Sequence, residues 1–188
     1  WQNMKIKEAK IRVGISKFHR RGLIAVGHIK KGEKIFKIEG VRIKFLINNE
    51  AQAAKAGWNW VGWDKNTWID PVSYGLYINH SCNPNAGIKN RRDVVAIKNI
   101  KKGEEVTFDY SLSEADIFWH IQCNCRATNC RKTIRSIQFL PEKIFKKEKK
   151  YIPPYFQKVF RGFRIARFLN RVELRKRWVN FIEKGFRV

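Results

Sequence analysis

The chain has 188 residues, of which 44% are hydrophobic and 13% aromatic, enough to bury one sizeable core. No apolar run approaches the roughly 20 residues of a membrane span, and no N-terminal segment resembles a secretory signal, so we expect a soluble or peripherally bound protein without a transmembrane segment. Forty Lys and Arg residues oppose 16 Asp and Glu residues, which gives a net charge of +24. This excess predicts a polyanionic partner such as nucleic acid, and it excludes no chemistry.

The first forty residues alternate short β-branched runs with Gly and Lys turns. This pattern predicts strands at about 11–15, 22–27 and 34–39. The sequence "IKKGE" at 29–33 recurs at 100–104, each time before an apolar run, at 34–38 and 106–110. We interpret the two copies as one turn used twice and not as a true repeat.

The middle of the chain combines a helical pattern, an aromatic cluster and a polar motif. Ala, Gln, Glu and Lys dominate residues 45–58 and predict a short helix that Gly57 ends. Four tryptophans follow within eleven residues, which favours hairpin packing or, alternatively, an aromatic wall around a substrate side chain. The polar segment "YINHSCNPNAG" occupies 77–87, and "DVVAIKNI" at 93–100 predicts a further strand.

The last quarter of the chain is basic and helical in pattern. Residues 141–188 hold 15 Lys and Arg against 4 Asp and Glu, a net +11. Helix-start prolines at 153 and 154 precede an apolar stripe of Phe156, Val159, Phe160 and Phe163. A second stripe, ending at Gly185, consists of Leu174, Trp178, Phe181 and Ile182. We expect the first stripe to dock on the domain. The basic residues beside it, Arg161, Arg164, Arg171 and Arg175, are either solvated or bind nucleic acid or an acidic surface.

The four cysteines predict a metal site. Three lie in "CNCRATNC" at 123–130, and the fourth lies in the 77–87 segment. Cys123 and Cys125, separated by one residue, are too close in sequence for an unstrained disulfide bridge, which disfavours disulfides. Zinc takes four ligands, so the convergence of Cys82, Cys123, Cys125 and Cys130 predicts a zinc site in a reducing, intracellular compartment. Reduced core cysteines are the alternative. The nearby cations that would offset the thiolate charge are Arg126, Arg131 and Lys132.

Taken together, these segments resemble a SET-domain protein-lysine N-methyltransferase with a post-SET zinc segment. The matches run in the family's order: "HRRGLIA", "YINHSCNPN", "GEEVTFDY" and "CNCRATNC". The resemblance covers roughly residues 10–135. It implies a mainly β fold with short helices, the SET-domain β-clip fold with a pseudoknot, plus a C-terminal α-helical basic extension. The implied divisions are a SET domain at 1–118, a post-SET segment at 119–135 and the extension at 136–188.

The resemblance also implies an activity, which is methyl transfer from S-adenosylmethionine to a lysine side chain of a histone-like, chromatin or ribosomal protein. The lysine would enter a narrow channel from the face opposite the cofactor. The residues that would bind the cofactor are Arg21, Gly22, Leu23, Asn79, His80 and Asn124. Tyr110 would be the catalytic tyrosine. The residues that would line the lysine channel are Phe108, Ile38, Tyr74 and Tyr77. Phe108 carries no hydroxyl, which predicts a di- or trimethylated product.

Two positions depart from the family pattern. Arg20 stands where the first glycine of the cofactor loop falls, and Ile38 stands where many relatives carry a channel tyrosine, which Tyr74 or Tyr77 would have to replace. A second class therefore stays open, a catalytically inactive SET scaffold that binds nucleic acid or ribonucleoprotein. A zinc-finger DNA binder is disfavoured, because Cys82 lies about 40 residues before the other cysteines and no finger helix follows them. The sequence does not distinguish a nuclear, cytoplasmic or organellar location.

Overall fold

A computed structural model describes residues 10–47, 49–57 and 59–166 of the chain. The strands within these residues are Ile11–Ile15 (β1), Arg21–Ala25 (β2), Lys34–Lys37 (β3), Glu39–Lys44 (β4), Val61–Asp64 (β5), Thr67–Val72 (β6), Asn79–His80 (β7), Ala86–Lys89 (β8), Asp93–Ala96 (β9), Glu105–Phe108 (β10), His120–Gln122 (β11) and Thr133–Arg135 (β12). The α-helices are Glu50–Ala53 (α1), Glu142–Glu148 (α2) and Pro154–Ala166 (α3). Among these residues no helix is long and apolar enough to cross a membrane.

The strands form four small sheets, as the mainly β prediction requires. Their strand orders are β1-β2-β10-β7, β3-β9-β8, β4-β6-β5 and β11-β12. Most pairs are antiparallel, but β10 and β7 run parallel. A parallel pair needs a long connection between its strands. Here the connection from β7 to β10 contains β8 and β9, which belong to the β3-β9-β8 sheet.

The repeated "IKKGE" sequence forms the same turn twice, and the two turns pair with each other. Ile29 and Ile100 exchange both backbone hydrogen bonds at 2.9 Å, and both side chains are buried. Gly32 and Gly103 follow with φ of +87° and +85°, a conformation that glycine adopts without a Cβ clash. The interpretation as one turn used twice is therefore confirmed.

The N-terminal strands lie close to their predicted positions. β1 matches 11–15, and β2 covers most of 22–27. The run predicted at 34–39 is divided, because the fully buried Ile38 leaves the β3–β9 ladder between β3 and β4 and donates its backbone N–H to Arg92 O at 2.8 Å.

Three predicted elements are shorter than expected. The helix predicted over 45–58 is wrong beyond a single turn, Glu50–Ala53, because Phe45 N bonds Asn66 O at 3.1 Å and its ring packs edge-on against Trp60. The strand predicted to reach residue 110 ends at Phe108, and a 3-10 turn begins at Tyr110. The strand predicted over 93–100 ends at Ala96.

The tryptophan-rich segment packs mainly as a hairpin. Trp60 directly precedes β5, and Trp68 lies on β6. Their ring centroids are 6.2 Å apart, and Trp68 is buried. Trp63 is partly exposed with the Arg42 guanidinium 5.6 Å from its ring centroid. Trp58 lies outside the described residues.

The fold divides into two compact units that alternate along the chain. The first contains the described residues of Trp1–Gly40, Pro71–Asp109 and Asn124–Arg131. The second contains those of Val41–Asp70, Tyr110–Cys123 and Lys132–Val188.

The basic extension contributes to the core of the second unit. That core consists of Leu112, Ile137, Leu140, Phe145, Ile152, Phe156, Val159 and Phe160, with Phe163 packed against it. The α3 stripe therefore docks as predicted, onto a core that includes Leu112. The Phe145 and Phe160 rings stack at 3.8 Å, and Arg164 bonds Glu142 at 2.6 Å, so α2 and α3 form an antiparallel helical hairpin. The second predicted helix, with Arg171 and Arg175, lies outside the described residues.

Candidate active site and metal centre

Three motif segments that are distant in sequence meet in one sheet of the first unit. β2 carries Gly22 of "HRRGLIA", a motif at 19–25 that we call the glycine loop. β7 carries Asn79 and His80, and β10 carries "EVTF". Glu105 and Val106 oppose Ile24 and Leu23, while Thr107 and Phe108 oppose Asn79 and His80. β10 therefore lies between the glycine loop and the polar segment.

The Asn85 amide fastens the polar segment to β10. Its Nδ2 donates to Glu105 O at 2.8 Å, and its Oδ1 accepts from Thr107 N at 2.9 Å. Ser81 N also donates to Phe108 O at 3.1 Å. The residues that follow β7 thus continue to bond along β10.

Glu105 and Asn79 form the centre of a hydrogen-bond network beside β2. Asn79 Nδ2 donates to Arg21 O and to Glu105 Oε1, each at 2.7 Å. The Glu105 carboxylate also accepts from Ser16 Oγ at 2.9 Å and from Lys17 N at 3.3 Å. Both amide hydrogens of Asn79 are then engaged, so its Oδ1 is the atom left to accept a bond from a ligand ammonium.

Gly22 is buried and leaves no space for a side chain. A Cβ at this position would overlap Glu105 Oε1 and lie 2.9 Å from Asn79 Nδ2. The glycine is therefore required for the close approach of β2 to this network. Arg20, by contrast, is exposed in the bend before β2, so its bulk is accommodated.

His80 is buried and neutral. Burial and the Arg131 charge lower the pKa of its imidazole to about 3. Its Nδ1 lies 3.6 Å from Asp109 Oδ1, beyond the usual hydrogen-bond distance. Asp109 is instead bound by Arg131 Nη2 at 2.6 Å.

A histidine and three cysteines bring their ligand atoms together. The ligand atoms of His80, Cys82, Cys123 and Cys125 all lie within 4.8 Å of one another, and all four residues are buried. Cys123 directly precedes the 124–131 segment of the first unit. Cys130 is half-buried and is not one of these four.

The turn that carries Cys130 is nevertheless bound to Cys82. Asn129 Nδ2 donates to Cys82 O at 2.9 Å, while Arg131 N and Arg131 Nε each lie 3.4 Å from Cys82 Sγ. Cys130 is thus flanked by two residues that contact Cys82. The donor set, buried thiols and an imidazole with an arginine beside them, fits zinc.

The four predicted channel residues all belong to the first unit. In the first unit Phe108 is buried on β10, and fully buried Ile38 packs against Gly75, which follows Tyr74. Tyr74 and Tyr77 lie in and just after the 3-10 turn Ser73–Leu76, and the Tyr74 ring packs edge-on against Phe36 at 5.9 Å.

Tyr110 and Asn124 occupy less enclosed positions. Tyr110 is half-buried at the first residue of the turn Tyr110–Ser113, in the second unit. Asn124 is exposed between Cys123 and Cys125. Their predicted roles stay predictions.

Sequence reasoning missed Ser16, Glu105 and Asp109. Glu105 and Asp109 lie two residues before and two residues after Thr107. The alternation of side chains along a strand could therefore have indicated that they share a face with Thr107. Ser16 carried none, because its role depends on the β1-β2 register.

The comparisons with known proteins identify this arrangement. The SET domain family model matches residues 20–111. The chain carries a SET domain. Histone-lysine N-methyltransferase 2B of Homo sapiens is 29% identical over 143 residues, which are 67% of this chain and 5% of that protein. The H3 lysine-4 specific histone-lysine N-methyltransferase of Schizosaccharomyces pombe is 30% identical over 147 residues, 68% of this chain and 15% of that protein.

The fold agrees with a solved SET structure. The crystal structure of KRYPTONITE in complex with mCHG DNA and SAH superposes with a TM-score of 0.52 and 23% identity, over 65% of this chain and 28% of that one. The predicted fold class is therefore confirmed. The SET-domain chain spans only a small part, between 5% and 15%, of the curated relatives just named.

Proposed function

We propose that this chain is an S-adenosylmethionine-dependent protein-lysine N-methyltransferase. The observation that supports the proposal most is the single sheet in which β10 joins the glycine loop to Asn79 and His80. The named relatives are histone-lysine methyltransferases, which supports a lysine-containing histone or histone-like protein as substrate.

The cofactor side of the site uses backbone and neutral polar groups. Arg21, Gly22 and Leu23 would present backbone to the methionine end of the cofactor, and the free Oδ1 of Asn79 would accept a bond from its ammonium. His80 and Asn124 would lie near the adenine. When bound, S-adenosylmethionine supplies an electrophilic methyl group on a sulfonium sulfur.

The lysine side of the site must provide a neutral amine. With an ordinary pKa of about 10.4, deprotonating lysine at pH 7 costs about 4.6 kcal/mol. A closed apolar channel lowers that pKa by desolvation, and buried Phe108 and Ile38 suit such a lining. The Tyr110 hydroxyl would orient the amine for in-line attack, and Tyr74 or Tyr77 would supply the aromatic wall that Ile38 lacks.

The metal would have a structural role. Cys82, Cys123, Cys125 and Cys130 are the proposed zinc ligands, and a site with four protein ligands leaves no position for substrate. Four cysteines that bind zinc would need a reducing compartment, which keeps thiols from forming disulfides. A nuclear, chromatin-associated location agrees with the relatives' names. The proposed divisions remain 1–118, 119–135 and 136–188, the last sharing its core with Leu112.

A single-residue variant tests the activity. Tyr110→Phe should lower methyl transfer from labelled S-adenosylmethionine to a lysine-rich histone probe roughly 100-fold, because misaligned reactants lose most of the advantage of positioning. Cofactor affinity, measured by calorimetry, should change little.

Mass spectrometry of the parent's product should show di- or trimethyl-lysine, and Phe108→Tyr should shift it toward monomethyl-lysine.

The same measurements distinguish the inactive-scaffold alternative. Parent protein that binds no S-adenosylmethionine and transfers no methyl group would contradict the enzyme. Full activity of Tyr110→Phe would contradict only the role of the tyrosine.

A further inference from the structure

Four lysines form a continuous stripe on the outer side of the helical hairpin. Lys143, Lys146, Lys147 and Lys150 follow one another at spacings of three, one and three residues, which places them on one face of α2 and the turn that continues it. All four are exposed, with 74% of the Lys146 side chain and 65% of the Lys147 side chain accessible. We call these four residues the lysine face. It extends over about 10 Å of helix axis.

The hairpin holds the lysine face on a rigid base. Phe145, on the other side of α2, is buried and stacks on Phe160 of α3. Tyr151 and Ile152 are buried where the chain turns toward α3. The backbone that carries the four ammonium groups is therefore fixed by core packing, so binding would order side chains only.

The acidic residues of 142–166 neutralise this surface only in part. Residues 142–166 hold eight Lys and Arg against two Glu, a net +6. One of the two, Glu142, is shared between Lys146 at 2.9 Å and Arg164 at 2.6 Å. The other, Glu148, is buried with Lys147 3.4 Å away. The two carboxylates of this segment are thus outnumbered by its eight lysines and arginines, and the surface keeps a positive charge.

The composition of the surface favours nucleic acid over an acidic protein. Protein interfaces depend on buried apolar and aromatic anchors and are depleted in lysine. From 142 to 151 the apolar side chains, Ile144, Phe145 and Tyr151, are buried or half-buried, so none protrudes as an anchor. A phosphate backbone needs only positive charge, and phosphates of one duplex strand recur every 3.4 Å or so along the axis.

We propose that the lysine face binds the phosphate backbone of nucleic acid without reading its sequence. The binding itself does not depend on the methyltransferase proposal. If that proposal holds, the surface would also keep the enzyme close to substrate proteins that are bound to nucleic acid. Each lysine that contacts a phosphate releases counterions, so affinity should fall steeply with salt.

The test compares two quadruple variants of equal net charge in the full chain. The first changes the lysine face to glutamine at all four positions. The matched control changes four exposed lysines of the two Lys-Gly turns, Lys30, Lys31, Lys101 and Lys102, to glutamine. Binding to a fluorescent DNA duplex of scrambled sequence is measured by anisotropy between roughly 50 and 300 mM salt. Circular dichroism and Tm confirm folding.

The expected result is a local effect. The lysine-face variant should reduce the slope of log affinity against log salt by about 2 to 4 and weaken binding at low salt at least about tenfold. The control should lose much less, and arginine at the same four positions should retain binding. Equal losses in both variants would overturn the proposal in favour of total charge. Unchanged DNA binding, with lost binding to a glutamate-rich peptide, would overturn it in favour of an acidic protein.

Discussion

Glu105 is an acidic residue in a chain with 24 excess positive charges, yet within the described part of the chain the groups that donate to its carboxylate are neutral. A hydroxyl, a backbone N–H and an amide converge on it from Ser16, Lys17 and Asn79. Glu105 therefore orients the Asn79 amide and does not serve to balance a positive charge. It engages the amide nitrogen, so that Asn79 Oδ1 remains available to accept a bond from a ligand. We regard Glu105 as a positioning residue for the proposed cofactor site.

Removing this carboxylate should weaken cofactor binding more than chemistry. Glu105→Ala should raise the KM for S-adenosylmethionine roughly tenfold, the equivalent of about one hydrogen bond, because the Asn79 amide loses its orientation. The kcat at saturating cofactor should change much less, and Glu105→Gln should restore part of the loss.

Its neighbour provides the matched control. Glu104 is exposed, and the one described contact of its carboxylate is with Lys101 N in the turn at 2.9 Å, so Glu104→Ala should leave KM near the parent value. If Glu105→Ala lowered kcat and left KM unchanged, the positioning role would be wrong.

At the scale of elements, the sequence predicted best where turns mark the ends of strands. β1, β2 and the paired "IKKGE" turns were found because glycine and lysine punctuate short β-branched runs. The 45–58 helix was over-predicted because propensity supports a helix only weakly at this length, and contacts of Phe45 with Asn66 and Trp60 decide the chain's path.

The proposed cofactor side of the site likewise combines residues that the sequence predicted with one that depends on tertiary pairing. Asn79, His80 and Gly22 were predicted from motif resemblance, and the structure brings them beside β10. The contribution of Ser16 could not be predicted, because it depends on which residues of β1, β2 and β10 oppose one another.

The proposed zinc ligands give a prediction about the 123–130 segment. Cys130→Ser should reduce bound zinc well below one ion per chain, since a tetrahedral site loses one of its four thiolates. His80→Ala should retain the metal while weakening cofactor binding. Elemental analysis of purified protein measures the first quantity and calorimetry the second.

The structure also defines the contrary outcome. The His80 ligand atoms belong to the group within 4.8 Å, and Cys130 does not. Zinc lost from His80→Ala and kept by Cys130→Ser would therefore assign the fourth position to the imidazole.

At the scale of the whole molecule, the second unit buries an acid in this highly basic protein. Glu114 is buried, and its Oε1 accepts from Ala115 N and Asp116 N, each at 2.7 Å. Trp68 also bonds its side chain. Burial, with the Asp116 charge nearby, still raises the pKa of Glu114 to about 7. The pKa of Asp116 is raised by burial as well.

This buried acid should make stability fall as pH rises toward neutrality. Between the unfolded pKa of 4.5 and the folded pKa of about 7, the native state holds a proton that the unfolded chain has released. The free energy of unfolding therefore decreases across this window, by about 3 kcal/mol from Glu114, and levels off above it. Urea denaturation at the two ends of the window measures the difference. Glu114→Gln should remove most of it, whereas Glu142→Gln, at an exposed position whose carboxyl pKa is lowered by Lys146 and Arg164, should leave it. A parent protein whose stability rises from pH 5 to pH 7, with the same rise in Glu114→Gln, would show that the acid is not held protonated in the native state.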